Sequence, residues 1–196
     1  MTDLVLASRN GKKLKEMSAL LSPLGYRLRL VSAFSDIEPD ENAPTFVENA
    51  LIKARHAARV SGMAAIADDS GIEVAALGGA PGVHSARYAG GHGDDAANNA
   101  KLLKELEKVP NEARDARFVS VLTLLRHVDD PVPLIAFGAW PGRILHAPRG
   151  SAGFGYDPLF LDPETGLSAA ELHPDDKNRR SHRARAFAAL LAQLRA

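Results

Sequence analysis

The stretch Ala65-Ile66-Ala67-Asp68-Asp69-Ser70-Gly71-Ile72 constrains the fold most. Its small and apolar residues read as a strand buried in a sheet, and the carboxylates and hydroxyl that follow mark where the strand ends and polar chemistry begins. Strand ends in α/β sheets face the crevices where ligands bind. Two carboxylates there can hold a hard cation or activate a water. Taken alone, the stretch fits an ordinary Asx turn closed by Ser70 and Gly71 better, since Asp, Ser and Gly are the usual residues of tight turns. The rest of the chain shifts that balance.

Strand and helix patterns alternate on both sides of it. Leu4-Val5-Leu6-Ala7 is a continuous apolar run, expected as a strand covered on both faces. After Ser8-Arg9-Asn10-Gly11-Lys12-Lys13, the spacing of Leu14, Met17, Leu20, Leu21 and Leu24 predicts a helix ending near Gly25. A strand, a polar loop and a helix N-terminus in succession offer unpaired N–H groups and a positive dipole end to a phosphate; the bland alternative is a capped turn with solvated lysines. The glycine spacing of a Walker loop is missing. Tyr26 to Val31 alternates as a strand with one wet face. Thr45-Phe46-Val47-Glu48 reads as a capping box, opening a helix that buries Phe46, Ala50, Leu51, Ala54 and Ala58. Asp94 or Asp95 caps a helix to about Lys108, assigned to structure only. Phe118 to Leu125 is expected as a central strand, with Leu134 to Trp140 as its antiparallel partner and Trp140 as a core or interface anchor. This apolar hairpin is the expected place of a subunit interface. A last helix is expected to bury Phe187, Ala188, Leu191 and Leu194. The order predicts an α/β protein with a mixed sheet.

Composition excludes several classes. The 196 residues, 45% hydrophobic, suffice for a proper core in one compact unit or two closely joined lobes. With no cysteine, there are no disulfides, thiol nucleophiles or thiolate metal sites. Twenty-four basic residues balance twenty-four acidic ones, so no global field draws the chain to nucleic acid or to a membrane. Met1-Thr2-Asp3 leads straight into a strand without a basic n-region or a spanning apolar run, so the expected compartment is the cytoplasm.

The remaining features are local. Asp36, Glu38, Asp40 and Glu41 crowd one loop, ordinarily a solvated one. Asn49 and Lys53 are four apart and share a helix face. Glycine-rich turns occur at Leu77 to Gly82 and at Gly90 to Gly93. In Gly153-Phe154-Gly155-Tyr156-Asp157-Pro158, Tyr156 can plug the core, while Phe154 between two glycines can offer its ring face to a planar base. Lys177 to Arg185 holds five Lys or Arg in nine positions, most often a solvated face but here the densest positive patch of a neutral chain. Together these fit one ligand: Lys13, Lys53, Lys177 and Arg183 neutralise a polyphosphate, the acidic residues hold a divalent ion, and Phe154 stacks on a base. The chemistry left to such a site is hydrolysis, with a carboxylate as general base.

Six motifs then carry a resemblance. They are Ser8 to Lys13, Thr45 to Ala50, Ala67 to Gly71, Gly78 to Gly82 with Ser85-Ala86-Arg87-Tyr88, Gly153 to Pro158, and Ser181-His182-Arg183. In this order, over nearly the full length, they resemble the inosine triphosphate pyrophosphatase family, also called Ham1-like. The resemblance implies an elongated mixed β-sheet flanked by helices, with two lobes around a nucleotide-binding cleft in a single domain, 1–196. It also implies Mg2+-dependent hydrolysis of dITP, ITP and XTP to the monophosphate and pyrophosphate, and a homodimer. By position, Asp69 resembles the proton acceptor and a magnesium ligand, Glu41 with Asp40 beside it the acidic partner on the metal, and Asp68 goes with these ligands. Ser8, Arg9, Asn10, Gly11, Lys12, Lys13, Lys53 and Ser70 resemble phosphate-side contacts. Phe154, Gly155, Tyr156, Asp157, Lys177, His182 and Arg183 resemble nucleotide and base contacts. Arg9 stands where many relatives have glycine, at a position the motif leaves open. Two rivals are a Maf-like pyrophosphatase acting on pyrimidine or modified nucleotides and a non-catalytic nucleotide- or RNA-binding module; carboxylates beside a phosphate site argue against the second.

Overall fold

In the computed structural model, which describes residues 1–91 and 93–195, the apolar runs form six strands: β1 Thr2–Leu6, β2 Tyr26–Leu30, β3 Ala65–Val74, β4 Asp115–Leu125, β5 Leu134–Ile144 and β6 Phe160–Leu161. They make one sheet in the order β2-β1-β3-β4-β5-β6. β1 pairs parallel with both β2 and β3, and β5 pairs antiparallel with β6, so the sheet is mixed as expected. The flanking helices are α1 Gly11–Leu21, α2 Phe46–Ser61, α3 Asp95–Glu105, α4 Pro174–Arg180 and α5 His182–Leu194. Of the expected glycine-rich turn at Gly90 to Gly93, His92 lies outside the described residues.

The largest departure from expectation is in β3. The strand does not stop at Asp68, and no Asx turn closes it; one ten-residue strand carries both carboxylates through its middle. A strand can pass through buried charge when each charge finds a partner, and here each does, as described below. Other differences concern extent and facing. The helix after Asp94 ends at Glu105, short of Lys108, and β5 runs on to Ile144. In α2 the buried stripe is Asn49, Ala50, Lys53, Ala54, Ala57 and Ala58, so two polar residues share the face of small alanines while Phe46 and Leu51 are only half-buried. In α5 the buried apolar residues are Ala186, Phe187 and Leu190, whereas Leu191 is half-buried and Ala188 and Leu194 are exposed. The reason is Arg183, which lies on the buried stripe at helical spacing from Ala186, Phe187 and Leu190 and sets its facing.

Helix ends follow their local chemistry. The Thr45 hydroxyl oxygen accepts from the Glu48 N–H at 3.2 Å, the N-cap half of the expected capping box, while the Glu48 carboxylate accepts from the Thr45 hydroxyl at 2.6 Å. Asp94, with Asp95 inside the first turn, caps α3 by accepting from the Ala97 N–H. Gly25 turns the chain from α1 and its short 3-10 extension into β2 at φ 84°, a conformation that favours glycine.

The chain divides into two compact units, and the division cuts β3, β4 and β5. The first comprises Met1–Asp69, Ser120–Gly138 and Arg183–Ala196; the second comprises Ser70–Val119 and Ala139–His182. In the first unit, Leu4, Leu6, Ile66, Leu122 and Leu124 pack with Met17 and Leu21 of α1 and Phe187 and Leu190 of α5. Its other cluster joins Val5, Ala65, Ala67, Val121 and Leu125 to the α2 alanines. The second unit's core is aromatic: the Trp140 ring lies 5.0 Å from that of Phe160, which lies 4.5 Å from that of Phe118. Trp140 is thus a core anchor, 1% exposed. Buried Arg114 donates to the carbonyls of Leu106, Ile144 and Leu145. Where β5 meets β6, a Cβ on Gly142 would sit 2.4 Å from the Leu161 carbonyl oxygen and 2.5 Å from the Phe160 ring. Gly142→Ala is therefore expected to lower the unfolding free energy by ~1–3 kcal/mol, measured by urea denaturation; an unchanged midpoint would contradict this packing.

Candidate functional site

Asp68 and Asp69 are adjacent in an extended strand, so their side chains leave opposite faces of the sheet. Asp68 goes to the face packed by α1 and α5. There Lys13 Nζ and Arg183 Nε each lie 3.0 Å from its Oδ2, and the Ser120 hydroxyl donates to Oδ1 at 2.7 Å. Arg183 also donates to Glu16 at 3.0 Å. Burial alone would push the Asp68 carboxyl up, but Lys13, Arg183 and the Ser120 hydroxyl hold it well below the usual carboxylate range. Burial lowers the Lys13 ammonium, with Asp68 opposing and the nearby cations Lys53 and Arg183 adding to the fall.

Asp69 goes to the face covered by α2. Lys53, 9% exposed, places its Nζ 2.5 Å from Asp69 Oδ1 and 3.0 Å from Glu41 Oε2. Burial raises the Asp69 carboxyl above its ordinary value while Lys53 opposes the rise. Burial would lower the Lys53 ammonium, but Asp69 and Glu41 outweigh it and hold the pKa up. The loop carrying Glu41 is fastened by Asn49, whose amide accepts from the Ala43 N–H at 3.0 Å and donates to the Ala43 carbonyl at 3.1 Å. Asn49 and Lys53 thus do share a face, with Asn49 positioning the loop and Lys53 meeting its carboxylate. Asp40 is exposed.

This donor set fits a hard divalent cation. Asp69 and Glu41 offer carboxylate oxygens and already accept one cationic group between them. Among the described residues, no group of three or more His, Cys, Asp or Glu forms a metal cage. Magnesium is commonly held by one or two carboxylates together with substrate phosphates and water, so a pair is the expected protein contribution.

The loop before α1 is a capped turn. Asn10 accepts from the N–H groups of Lys12 and Lys13, and the Ser8 hydroxyl oxygen accepts from the Asn10 N–H at 3.1 Å. Two of the N–H groups expected to be open are therefore taken by the cap. Gly11 and Lys12 are exposed, Lys13 turns inward to Asp68, and Arg9 pairs with Glu38 at 2.9 Å.

The second unit holds the remaining candidates. Ser70 continues β3, half-buried. Buried Asp157 accepts from the Phe154 N–H at 2.9 Å and from Lys177 Nζ at 2.6 Å, and that ammonium lies 5.1 Å from the centre of the Phe154 ring. The carboxylate passes so close to Gly153 that a Cβ there would meet Asp157 Oδ2 at 2.1 Å. Tyr156 is a core plug whose hydroxyl donates to the Ser85 carbonyl at 2.8 Å. The buried His182 ring stacks on Phe118 at 4.9 Å. The basic run is largely paired in place: Lys177 with Asp157, Arg179 with Asp176, Arg180 with Glu164 and Arg183 with Asp68.

Three participants escaped the sequence reading: Ser120, Glu16, and Asn49 as a loop fastener. Ser120 and Thr123 are the two hydroxyls in the apolar run of β4, and that polarity is the available signal for Ser120. Glu16, one helical turn from Lys13, carried none.

A match to the Ham1 family covers residues 4–193. The chain belongs to the Ham1 family. Over 194 residues it is 59% identical to a dITP/XTP pyrophosphatase of Pseudomonas syringae pv. tomato, spanning 99% of this chain and 98% of the relative. It is 60% identical over 191 residues to the enzyme of the same name from Aromatoleum aromaticum, spanning 97% and 96%. Among solved structures, a HAM1 protein from Coxiella burnetii superposes with a TM-score of 0.91 at 47% identity, covering 100% of this chain and 99% of that one. A nucleoside-triphosphatase / dITP/XTP pyrophosphatase from Mycobacterium abscessus gives 0.78 at 44% identity, covering 98% and 99%. The mixed six-stranded sheet is thus that of a Ham1 protein.

For this Ham1 chain, Asp68→Asn takes from half-buried Lys13 and buried Arg183 the carboxylate they share, Arg183 keeping Glu16, and a loss of ~3–5 kcal/mol at pH 7 is expected. Because the folded Asp68 pKa is depressed, its contribution is present above the unfolded value and fades as pH falls below about 4. Urea unfolding at pH 7 and pH 3 should show the gap between wild type and variant narrowing at the lower pH.

Proposed function

We propose that this Ham1 chain is a nucleoside triphosphate pyrophosphatase that converts dITP, ITP and XTP to the monophosphate and pyrophosphate with Mg2+, clearing deaminated purines from the cytoplasmic nucleotide pool. The observation that carries the reading is the Lys53-bridged pair of Asp69 and Glu41, in a chain so closely similar to dITP/XTP pyrophosphatases. Glu16, Glu41, Asp68 and Asp69 are four carboxylates against the three cations Lys13, Lys53 and Arg183. A polyphosphate therefore meets a favourable local field only when it brings a further cation.

Asp69 and Glu41 would hold the metal, with Glu41 favoured over exposed Asp40 by its contact with Lys53. When bound, Mg2+ would polarise the phosphorus and lower the pKa of a coordinated water. Asp69, its pKa already raised by burial, takes the proton of the attacking water. Lys53 shares its charge between carboxylate and phosphate, and Lys13 with the positive end of α1 completes the phosphate side. Asp68, occupied by Lys13, Ser120 and Arg183, serves by orienting those cations. The second unit's Phe154 stacks on the base, and donors from His182 and Arg183 favour a 6-oxo group over the 6-amino group of adenine. Mispaired buried donors discriminate by roughly 10⁴ in favourable cases. A homodimer forms through the apolar surface of β5, where Ile135 and Phe137 are exposed. The pairing of the basic run leaves little free charge for nucleic acid.

Two measurements test this. Pyrophosphate release at equal substrate concentration should be strong and magnesium-dependent for dITP and XTP and near background for dATP and dTTP. Release chiefly from dTTP would move the chain to the pyrimidine-directed class. Asp69→Asn should lower kcat by at least ~10²-fold while dITP still binds; near-normal kcat would remove Asp69 from its role.

A further inference from the structure

Within the second unit, α3 holds the Phe154 loop by both ends of one peptide neighbour. The Asp95 carboxylate accepts from the Gly155 N–H at 2.7 Å, and the Asn99 amide donates to the Gly155 carbonyl at 2.8 Å. The same amide donates to the Asp95 carbonyl one turn back at 2.6 Å, which aims it at the loop. Gly155 has φ 61°, a conformation that most side chains disfavour, so the loop must be held as well as permitted to turn there. Asp157 fixes the preceding N–H, that of Phe154. Both N–H groups that flank the Phe154 ring position are thereby committed to carboxylates, from different elements. The adjacent Asn98 does the same for another loop, accepting from the Ala89 N–H at 2.7 Å and donating to the Ala86 carbonyl at 3.3 Å.

We propose that Asp95 and Asn99 are positioning residues that set the Phe154 ring for the base. The helix assigned above to structure alone therefore acts in substrate binding, through Gly155. Neither residue is asked to touch the substrate. Asp95 is exposed and lies inside the first turn, with capping left to Asp94, so its hydrogen bond to the loop is separable from starting the helix. A carboxylate accepting a backbone N–H is among the stronger neutral-donor hydrogen bonds, and its loss frees the loop to sample orientations that do not stack.

This inference rests on Phe154 stacking against the base, and the experiment separates the two. KM and kcat for dITP are measured for Asp95→Ala, Asn99→Ala, Asp95→Asn, Phe154→Ala and the double variant Asp95→Ala/Phe154→Ala, with thermal unfolding alongside. Positioning predicts a KM raised about fivefold to tenfold in Asp95→Ala and Asn99→Ala with kcat within about twofold of wild type. Asp95→Asn keeps an acceptor oxygen and should restore most of the loss. In the double variant, removing Asp95 should add little to the loss from Phe154→Ala, because both act on one ring. Raised KM in Phe154→Ala with unchanged KM in both α3 variants overturns the positioning role alone. Additive losses in the double variant overturn it too. Unchanged KM in Phe154→Ala removes the stacking reading and the positioning role with it. Should Asp95→Ala fail to fold, Asn99→Ala and its double variant with Phe154→Ala decide in the same way.

Discussion

A buried carboxylate that must be neutralised organises the first unit. Asp68, 2% exposed, sits in a central strand where an unpaired charge would be prohibitive. Its partners come from α1, β4 and α5, so one side chain collects segments from the beginning, middle and end of the chain. Lys13 and Arg183 are held near the sheet because Asp68 is there, and Glu16 joins through Arg183. The hydrophobic clusters on either face give the unit its bulk, while this ion cluster fixes which faces α1 and α5 present.

The alternation of a β-strand then separates two roles in neighbouring residues. Asp68 faces cations and a hydroxyl that depress its pKa, and Asp69 faces α2, where burial raises its own. Two carboxylates one residue apart thus diverge in proton affinity through their surroundings, the condition under which one anchors and the other exchanges protons. Continuous β3 is what makes this possible. A turn at Asp68, as the composition of the stretch suggests, would place both side chains in the same polar surroundings.

Much of the architecture was legible because hydrophobic period is local. The strand at Leu4, the helix after Lys13, the cap at Thr45 and the hairpin strands all follow from spacing and end signals. What was not legible depended on partners distant in the chain. Nothing near Asp68 announces that Lys13 and Arg183 will neutralise it, so Asp-Asp-Ser-Gly read as a strand end. The expected facing of α5 differs for the same reason: the apolar spacing that predicts its buried side leaves out Arg183, which Asp68 draws inward. In the site, Lys53 and Glu41 were visible as types, whereas their sharing of one ammonium with Asp69 was not. The basic run from Lys177 onward read as a patch because most of its neutralising carboxylates, Asp157, Glu164 and Asp68, lie elsewhere in the chain, Asp176 beside Arg179 being the local one.

The two adjacent asparagines of α3 carry a consequence for how such a chain can change over time. Asn98 and Asn99 grip different loops, and one helical step separates their directions by about 100°. Substitution on the outer face of α3 leaves both grips in place. Inserting or deleting a single residue between Asp94 and Asn99 would swing the asparagines away together. Apart from Asp95, which holds Gly155, divergence in this helix is therefore free in composition on its solvent side but restricted in length, and a loop-swapping experiment that preserves loop sequences while altering that spacing would inherit the restriction.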